Sequence, residues 1–273
     1  MYSFQSPCPR RKVPDRRQEN NSFSGKEGNQ NGKKMSVYEY LLFTKNFSQC
    51  IVKKVTLKQK YTIGIRYWNM DEITDKIAFH YDELVREDND PFRDEPEMKE
   101  YMAEWDGREF FTLLALTGKE KVLEIGCGTG RMAGAVLGSC REYTGLDLSP
   151  VSIVRARENL ASVPGTPYRT LLCGKFPDCF VPGKYDCIFS TLTFLHIEEK
   201  AAAMEKLSSL LLPEGRIVLS LDKTRKEDID YPGRSVPVFP DTPVSIKKAC
   251  ANTPLRIVQR IEKEKASLLL LTF

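Results

Sequence analysis

The sequence predicts an α/β protein: a mostly parallel, doubly wound sheet of seven strands that ends in an antiparallel C-terminal hairpin. Three observations carry this. From residue 121 onward, short apolar runs of strand length alternate with amphipathic runs of helix length. A parallel sheet covered on both faces requires that pattern. The first strand of the series opens into a glycine-rich turn, Gly126-Cys127-Gly128-Thr129-Gly130. The chain then closes on two strand-like pieces, Leu255 to Ile261 and Ser267 to Phe273, joined by a short charged turn.

The elements follow in order. Residues 1–35 include Pro9-Arg10-Arg11-Lys12 and Asp15-Arg16-Arg17 and show no apolar periodicity, so a disordered basic leader is expected. In residues 36–69, Val55, Leu57, Tyr61, Ile63, Ile65 and Tyr67 fall on odd positions with mostly polar residues between them. That period of two reads as strand or hairpin. The segment is expected to be a β-rich accessory element or, since Met35 and Met70 each offer an alternative start, an extension outside the native protein. Residues 70–273 form the expected domain. Ile77 to Arg86 reads as a helix, the acidic stretch 87–97 as a loop, and Glu97 to Leu116 as one helix ended by Gly118. Strands are expected at Lys121 to Ile125, Glu142 to Leu146, Tyr168 to Cys173, Tyr185 to Ser190 and Arg216 to Leu221. Helices are expected at Arg131 to Ser139, Ser149 to Leu160 and Glu198 to Leu212. Ser149 suits an N-cap, with Pro150 at the first helical position.

Composition narrows the function classes. Apolar residues make up 41% and charged residues 29%, the mix of a soluble globular protein. No apolar run approaches the ~20 residues that cross a bilayer, and no apolar block follows the basic N-terminus as a signal peptide would require. Eight cysteines and two histidines include no CxxC pair. No structural zinc site is expected, and the cysteines read as reduced thiols of a cytoplasmic protein. Residues 1–35 hold eight Lys or Arg and three Asp or Glu, a surplus of +5 within a net charge of +4. The rest of the chain is therefore close to neutral, which argues against a nucleic-acid partner.

The chemistry concentrates at Val122-Leu123-Glu124-Ile125-Gly126-Cys127-Gly128-Thr129-Gly130-Arg131. Glycines allow positive φ and close approach of a ligand. A dinucleotide site would space them GxGxxG; here the spacing is GxGxG. Glu124 sits just before the turn, where an acidic side chain suits a ligand with a positive amino group. Asp147 ends the next strand, 23 positions further on, where a carboxylate is the expected partner of ribose hydroxyls. Tyr185-Asp186-Cys187-Ile188-Phe189-Ser190 and Leu212-Pro213-Glu214-Gly215-Arg216-Ile217 follow in order.

On these motifs, residues from about Ile77 to Phe273 resemble the class I S-adenosylmethionine-dependent methyltransferase domain, close to its small-molecule branch. The resemblance implies a Rossmann-like fold with S-adenosyl-L-methionine as cofactor. Glu124, Gly126, Cys127, Gly128, Thr129, Gly130 and Arg131 would cradle its methionine part, with Arg131 either pairing the carboxylate or lying on the helix surface. Asp147 would bind the ribose, and Leu148 and Ser149 would lie beside the adenine. Ser190, Thr191 and Leu192 would open onto the sulfonium. One departure stands out: Cys173-Gly174-Lys175-Phe176 lacks the carboxylate that the family often places after the third strand. Adenine contact then falls to the backbone of Gly174, Lys175 and Phe176, or to Asp178. Tyr81 resembles the aromatic residue that often covers the cofactor; core packing is the competing reading. His196 reads as a general base or substrate contact, or as a structural hydrogen-bonding histidine. Asp222 reads as a cavity residue or an N-cap. Pro232 to Pro254 is expected to shape the acceptor pocket, with Arg234 and Phe239 as candidates.

The implied reaction is an in-line methyl displacement onto a small-molecule acceptor. Proximity and alignment can supply ~7–11 kcal/mol of the barrier, so no fixed catalytic residue is required. No nucleic-acid or membrane partner is expected. A protein or nucleic-acid methyltransferase and a cofactor-binding regulatory protein remain as alternatives. The glycine spacing and Glu124 disfavour a nicotinamide dehydrogenase.

Overall fold

Strands that are buried on both faces read as near-continuous apolar runs, and that is how the central strands of this chain are built. The structure, a computed structural model, describes residues 61–65, 71–225 and 227–273, the first stretch by its backbone. The expected leader and residues 36–60 and 66–69 lie outside the described residues. Strand β1 (Tyr61–Ile65) is followed by helices α1 (Glu72–Arg86), α2 (Pro96–Asp106) and α3 (Arg108–Leu114). The alternating core follows: β2 (Lys121–Ile125), α4 (Arg131–Val136), β3 (Glu142–Asp147), α5 (Pro150–Leu160), β4 (Arg169–Cys173), β5 (Tyr185–Thr191), α6 (Lys200–Leu210) and β6 (Leu211–Asp222). A small hairpin, β7 (Ile229–Tyr231) and β8 (Arg234–Val236), precedes α7 (Pro243–Ala249), β9 (Arg256–Glu262) and β10 (Ala266–Thr272).

The main sheet has the order β1-β4-β3-β2-β5-β6-β10-β9. Strands β2 to β6 are parallel, and β10 inserts antiparallel between β6 and β9. These are the seven expected strands with the expected antiparallel closure. An eighth is added: β1 pairs parallel with β4 from Tyr61↔Arg169 to Ile65↔Cys173. The period of two in that segment thus belongs, over five residues, to an edge of the main sheet.

Alternation along β2 sends Leu123 and Ile125 to one face and Val122 and Glu124 to the other. The first face is covered by Ala203, Met204 and Leu207 of α6 and by Ile246 of α7. The second is covered by Trp105, Phe110, Met132, Ala133, Ile153 and Ala156 of α2 to α5. Each fully buried large apolar side chain contributes about 1.5–3 kcal/mol, so both layers are firmly seated and the C-terminal rim of β2 to β6 is a fixed platform.

Two helix expectations need correction. Glu97 to Leu116 is not one helix, because it breaks at Gly107 (ψ −158) and restarts as α3. A side chain at Gly107 would place Cβ 2.4 Å from the Ala103 carbonyl oxygen; glycine permits the corner, and helical periodicity carries through it unmarked. The helix after the glycine turn is α-helical only to Val136 and finishes as a 3₁₀ turn, Leu137–Ser139. Ser149 caps α5 as expected, accepting the Ser152 N–H at 2.9 Å.

Candidate functional site

Gly126, Gly128 and Gly130 have φ of +79°, +51° and +94°, values that side chains rarely adopt. Two of them have distinct further reasons to be glycine. A Cβ on Gly126 would lie 1.8 Å from Thr193 Oγ1, so glycine lets the segment after β5 close against the turn. A Cβ on Gly128 would meet nothing within 4 Å: this position faces open space above the strand ends. The turn is held from below. The Gly126 and Cys127 N–H groups donate to the Leu146 carbonyl at 2.7 and 3.0 Å, and the Gly128 N–H donates to Asp147 Oδ2 at 2.7 Å.

Asp147 therefore organises two turns at once, since its Oδ1 accepts the Ser149 N–H at 2.8 Å. Burial pushes its carboxyl up to about 6, against the pull of those two N–H groups. Glu124 is 2% exposed, and Tyr143 donates its hydroxyl to Glu124 Oε2 at 2.5 Å. Burial pushes this carboxyl up to about 8, with Tyr143 and Arg131 pulling the other way.

Helix α1 straps the rim. Lys175 Nζ, after β4, pairs with Asp71 at the N-cap of α1 at 2.8 Å. Ser149 Oγ and the Val151 N–H (3.3 Å), after β3, donate to Asp82. His196, after β5, meets Tyr81, whose hydroxyl lies 2.7 Å from Nε2. Arg234 on β8 forms a fork with both Glu87 oxygens at 2.7 and 2.9 Å. His196 Nδ1 lies 3.0 Å from the Pro237 carbonyl. A carbonyl only accepts, so Nδ1 carries the proton and Nε2 accepts from Tyr81. Burial lowers His196 to about 4 and raises the Tyr81 phenol, so both are neutral near pH 7.

The remaining expected residues divide. Leu148, Gly174 and Lys175 line the rim between β3 and β4; the Gly174 N–H donates to the Asp147 carbonyl at 2.8 Å. Ser190 Oγ is turned inward to the Ile125 carbonyl at 2.9 Å. Thr191 is buried. Leu192 holds φ +54°, an unusual conformation for a leucine, between the end of β5 and Thr193. Several side chains are committed elsewhere. Cys127 is buried under the turn, where a Cβ on Gly145 would come within 2.9 Å of its sulfur. The Thr129 side chain is buried, as is Phe176, which packs in the core below β4. The Ser149 hydroxyl is fully buried between its cap and Asp82. These four can offer only backbone to a ligand. Arg131 is neither free nor on an open surface: its guanidinium pairs with buried Asp106 at 2.5 Å. Asp178 is exposed and pairs with Lys175 at 3.6 Å. Arg234 and the Phe239 N–H, which donates to the Leu195 carbonyl at 2.6 Å, fasten the segment after β6 rather than pointing from it. Asp222 accepts from Trp105 Nε1 at 3.3 Å and from the Thr224 N–H at 2.8 Å.

Sequence reasoning missed Asp82 and the clamp formed by Asp90 and Asn159. Asn159 Nδ2 donates both to Asp90 Oδ2 and to the Thr129 carbonyl, each at 3.0 Å. Asp82 lies inside the helix expected from Ile77 to Arg86, but nothing local marks it. Asp90 sat in a stretch read only as an acidic loop.

Residues 123–217 match the model of a methyltransferase domain. Over 106 residues the chain is 32% identical to a non-reducing polyketide synthase of Penicillium brasilianum, covering 36% of this chain and 4% of that protein. Over 119 residues it is 29% identical to the malonyl-[acyl-carrier protein] O-methyltransferase of Magnetococcus marinus, covering 41% and 42%. The chain thus spans less than half the length of these curated relatives. Among solved structures, it resembles the magnesium protoporphyrin IX methyltransferase of Synechocystis with bound S-adenosylmethionine. That likeness has a TM-score of 0.58 at 14% identity and covers 75% of this chain and 99% of the other; it speaks for the fold.

Proposed function

We propose that the chain carries a class I S-adenosylmethionine-dependent methyltransferase domain and transfers a methyl group to a small-molecule acceptor; the match of residues 123–217 to the model of a methyltransferase domain supports this. One observation supports this most. The glycine turn, open above Gly128, touches Thr193, and Thr193 begins the segment that holds His196 against Tyr81. A donor cradle and a polar acceptor wall are therefore contiguous.

The residues fit the cofactor on their own geometry. Gly128 leaves room where any side chain would project, and Asp147 stands at the end of the neighbouring strand with both oxygens on the rim. When bound, the cofactor supplies an activated methyl on a sulfonium. This chain's residues do the rest. The backbone of Gly126 to Gly130 with Glu124 would seat the amino-acid end, Asp147 the ribose, and Leu148, Gly174 and Lys175 the base. Helix α1 covers the rim and excludes water, which strengthens every polar contact beneath it. Tyr81 and His196 orient the acceptor. The small-molecule reading also draws on the near-neutral charge outside residues 1–35. A cytoplasmic setting belongs to the same proposal; the six described cysteines are free thiols, and no described helix is long and apolar enough to cross a membrane.

A second reading is favoured by the names of two relatives, a polyketide synthase and an acyl-carrier-protein methyltransferase: the acceptor is tethered to a carrier. Calorimetry with S-adenosylmethionine, S-adenosylhomocysteine and NAD tests the cofactor; NAD binding alone would sink the proposal. Labelled methyl transfer to a metabolite extract, with and without carrier proteins removed, tests the acceptor. Cofactor binding without any transfer would point to a regulatory binding protein.

A further inference from the structure

Lys200 is the first residue of α6, and its side chain is 13% exposed. Both facts count against a cation there. The start of a helix carries partial positive charge from its free N–H groups and favours anions, and a buried ammonium costs free energy unless it is paired and hydrogen-bonded. The compensation comes from outside the helix. Nζ donates to the Phe194, Ile197 and Phe239 carbonyls at 2.7, 2.5 and 2.9 Å. An ammonium has three N–H donors, so these carbonyls take them all. Asp241, its side chain 1% exposed, stands 3.5 Å away through Oδ1, and among the described residues neither of its oxygens accepts a hydrogen bond. A carboxylate so buried and without a donor serves as the counter-charge of the ammonium.

The three carbonyls bracket His196. Phe194 and Ile197 lie on either side of it in the turn after β5. Phe239 lies two residues beyond Pro237, whose carbonyl holds His196 Nδ1 at 3.0 Å. The bond from the Phe239 N–H to the Leu195 carbonyl, 2.6 Å long, joins the same two segments, but one bond leaves them free to turn about it. Lys200 pins both segments at further points and so fixes their mutual orientation.

We propose that Lys200 is a positioning residue for the transfer reaction: its ammonium fills a cage of three carbonyls, balanced by Asp241, and thereby keeps the Pro237 carbonyl on His196 Nδ1 and His196 Nε2 on the Tyr81 hydroxyl. This rests on the methyltransferase reading above, in which Tyr81 and His196 orient the acceptor. Lys200 acts through His196 and not on the cofactor or acceptor directly. The cage is a cation site whose cation is tethered to the chain. With the tether cut back, the same oxygens take a free ammonium that brings three N–H donors of its own.

The test uses the full chain. Of the two histidines in the sequence, His80 accepts at Nδ1 from Arg234 Nε at 3.0 Å, so its proton is on Nε2, the reverse of His196. Side-chain nitrogen NMR therefore separates them. Lys200→Ala turns the His196 signal from one tautomer into an exchanging mixture and leaves S-adenosylhomocysteine affinity unchanged. It lowers labelled methyl transfer to an extract about ten-fold or more, the scale of a misplaced group beside the reacting atoms. Ethylammonium, with three N–H donors, restores both the signal and the transfer; tetraethylammonium, with charge and no donor, restores neither. Should Lys200→Ala not fold, Lys200→Met combined with Asp241→Asn removes both charges at once, and His196 again loses its single tautomer. A single tautomer kept in a folded variant, unimpaired transfer, no rescue by ethylammonium or equal rescue by tetraethylammonium overturns the proposal. Wild type with His196 in one tautomer but no affinity for S-adenosylhomocysteine overturns the methyltransferase reading instead.

Discussion

Tyr81 and His196 lie 115 residues apart in sequence and 2.7 Å apart in space, with the phenol donating to Nε2. The pair joins α1 to the tip of β5, and the Pro237 carbonyl fixes its polarity from the other side. A histidine that the sequence left open between general base, substrate contact and structural hydrogen-bonding residue is thus locked in one tautomer, and any contact it makes with an acceptor runs through the tyrosine hydroxyl.

Tyr81→Phe removes the donor and leaves Nε2 buried without a partner. An orphaned buried acceptor costs about 1–3 kcal/mol, so urea unfolding should show a loss in that range. His196→Phe in the Tyr81→Phe background should cost less than His196→Phe alone. A double-mutant cycle then returns a coupling energy of about 1 kcal/mol or more. Additive losses would show that the hydrogen bond carries no net stability.

Gly126→Ala and Gly128→Ala should separate. Both put a side chain at positive φ, worth about 1–2 kcal/mol. Only Gly126→Ala also drives a methyl into Thr193, which adds an overpacking cost of about 1–3 kcal/mol. Gly128→Ala keeps most of the stability but fills the open space over the turn. Thermal unfolding should rank Gly126→Ala as the less stable, while calorimetry with S-adenosylhomocysteine should show Gly128→Ala binding at least about ten-fold more weakly than wild type.

What the sequence made legible were local patterns. Alternation of strand and helix, the GxGxG turn and the Ser149-Pro150 cap each depend on neighbours a few residues apart, and each stands where it was expected. What stayed hidden were pairings set by the packed fold. Arg131 could not be assigned because its partner, Asp106, lies on a helix that periodicity ran together with the next. Tyr81 meeting His196, and Asn159 meeting Asp90, depend on how helices cross the sheet rim. The period of two at Tyr61–Ile65 announced a strand but not its partner, since parallel pairing with β4 leaves no local signature.

Glu124 gives a pH prediction of definite sign. Its folded carboxyl is raised from 4.5 to about 8 by burial, so between those values the folded state holds more protons than the unfolded one. Stability contributed by this group is present below about pH 4.5 and is lost as pH rises through that window, at up to about 1.4 kcal/mol per pH unit. Glu124→Gln keeps an acceptor for Tyr143 and removes the titration. The variant should match wild type near pH 5 and be the more stable of the two at pH 8. A stability difference that is flat from pH 5 to 8 would mean that Glu124 is ionised throughout.

The clamp below the glycine turn yields the last prediction. Asp90 is 1% exposed; burial pushes its carboxyl up, but hydrogen bonds from Asn159, Arg155 and the Phe92 N–H help to outweigh that and hold it below its ordinary value. Asn159 is the bridge, because its amide donates to Asp90 and to the Thr129 carbonyl together. Asn159→Ala leaves that carbonyl unpartnered and frees the turn at the one residue between Gly128 and Gly130. The loss should be about 1–3 kcal/mol in unfolding experiments. If the clamp served stability alone, S-adenosylhomocysteine affinity would be unchanged at temperatures where the variant is folded. Because the bridged carbonyl lies in the cradle itself, affinity should instead fall several-fold. Asn159→Asp should be worse on both counts, since it sets a second carboxylate against Asp90, whose own charge is already met by Arg155 and Arg93 at 3.2 and 3.5 Å from Oδ2.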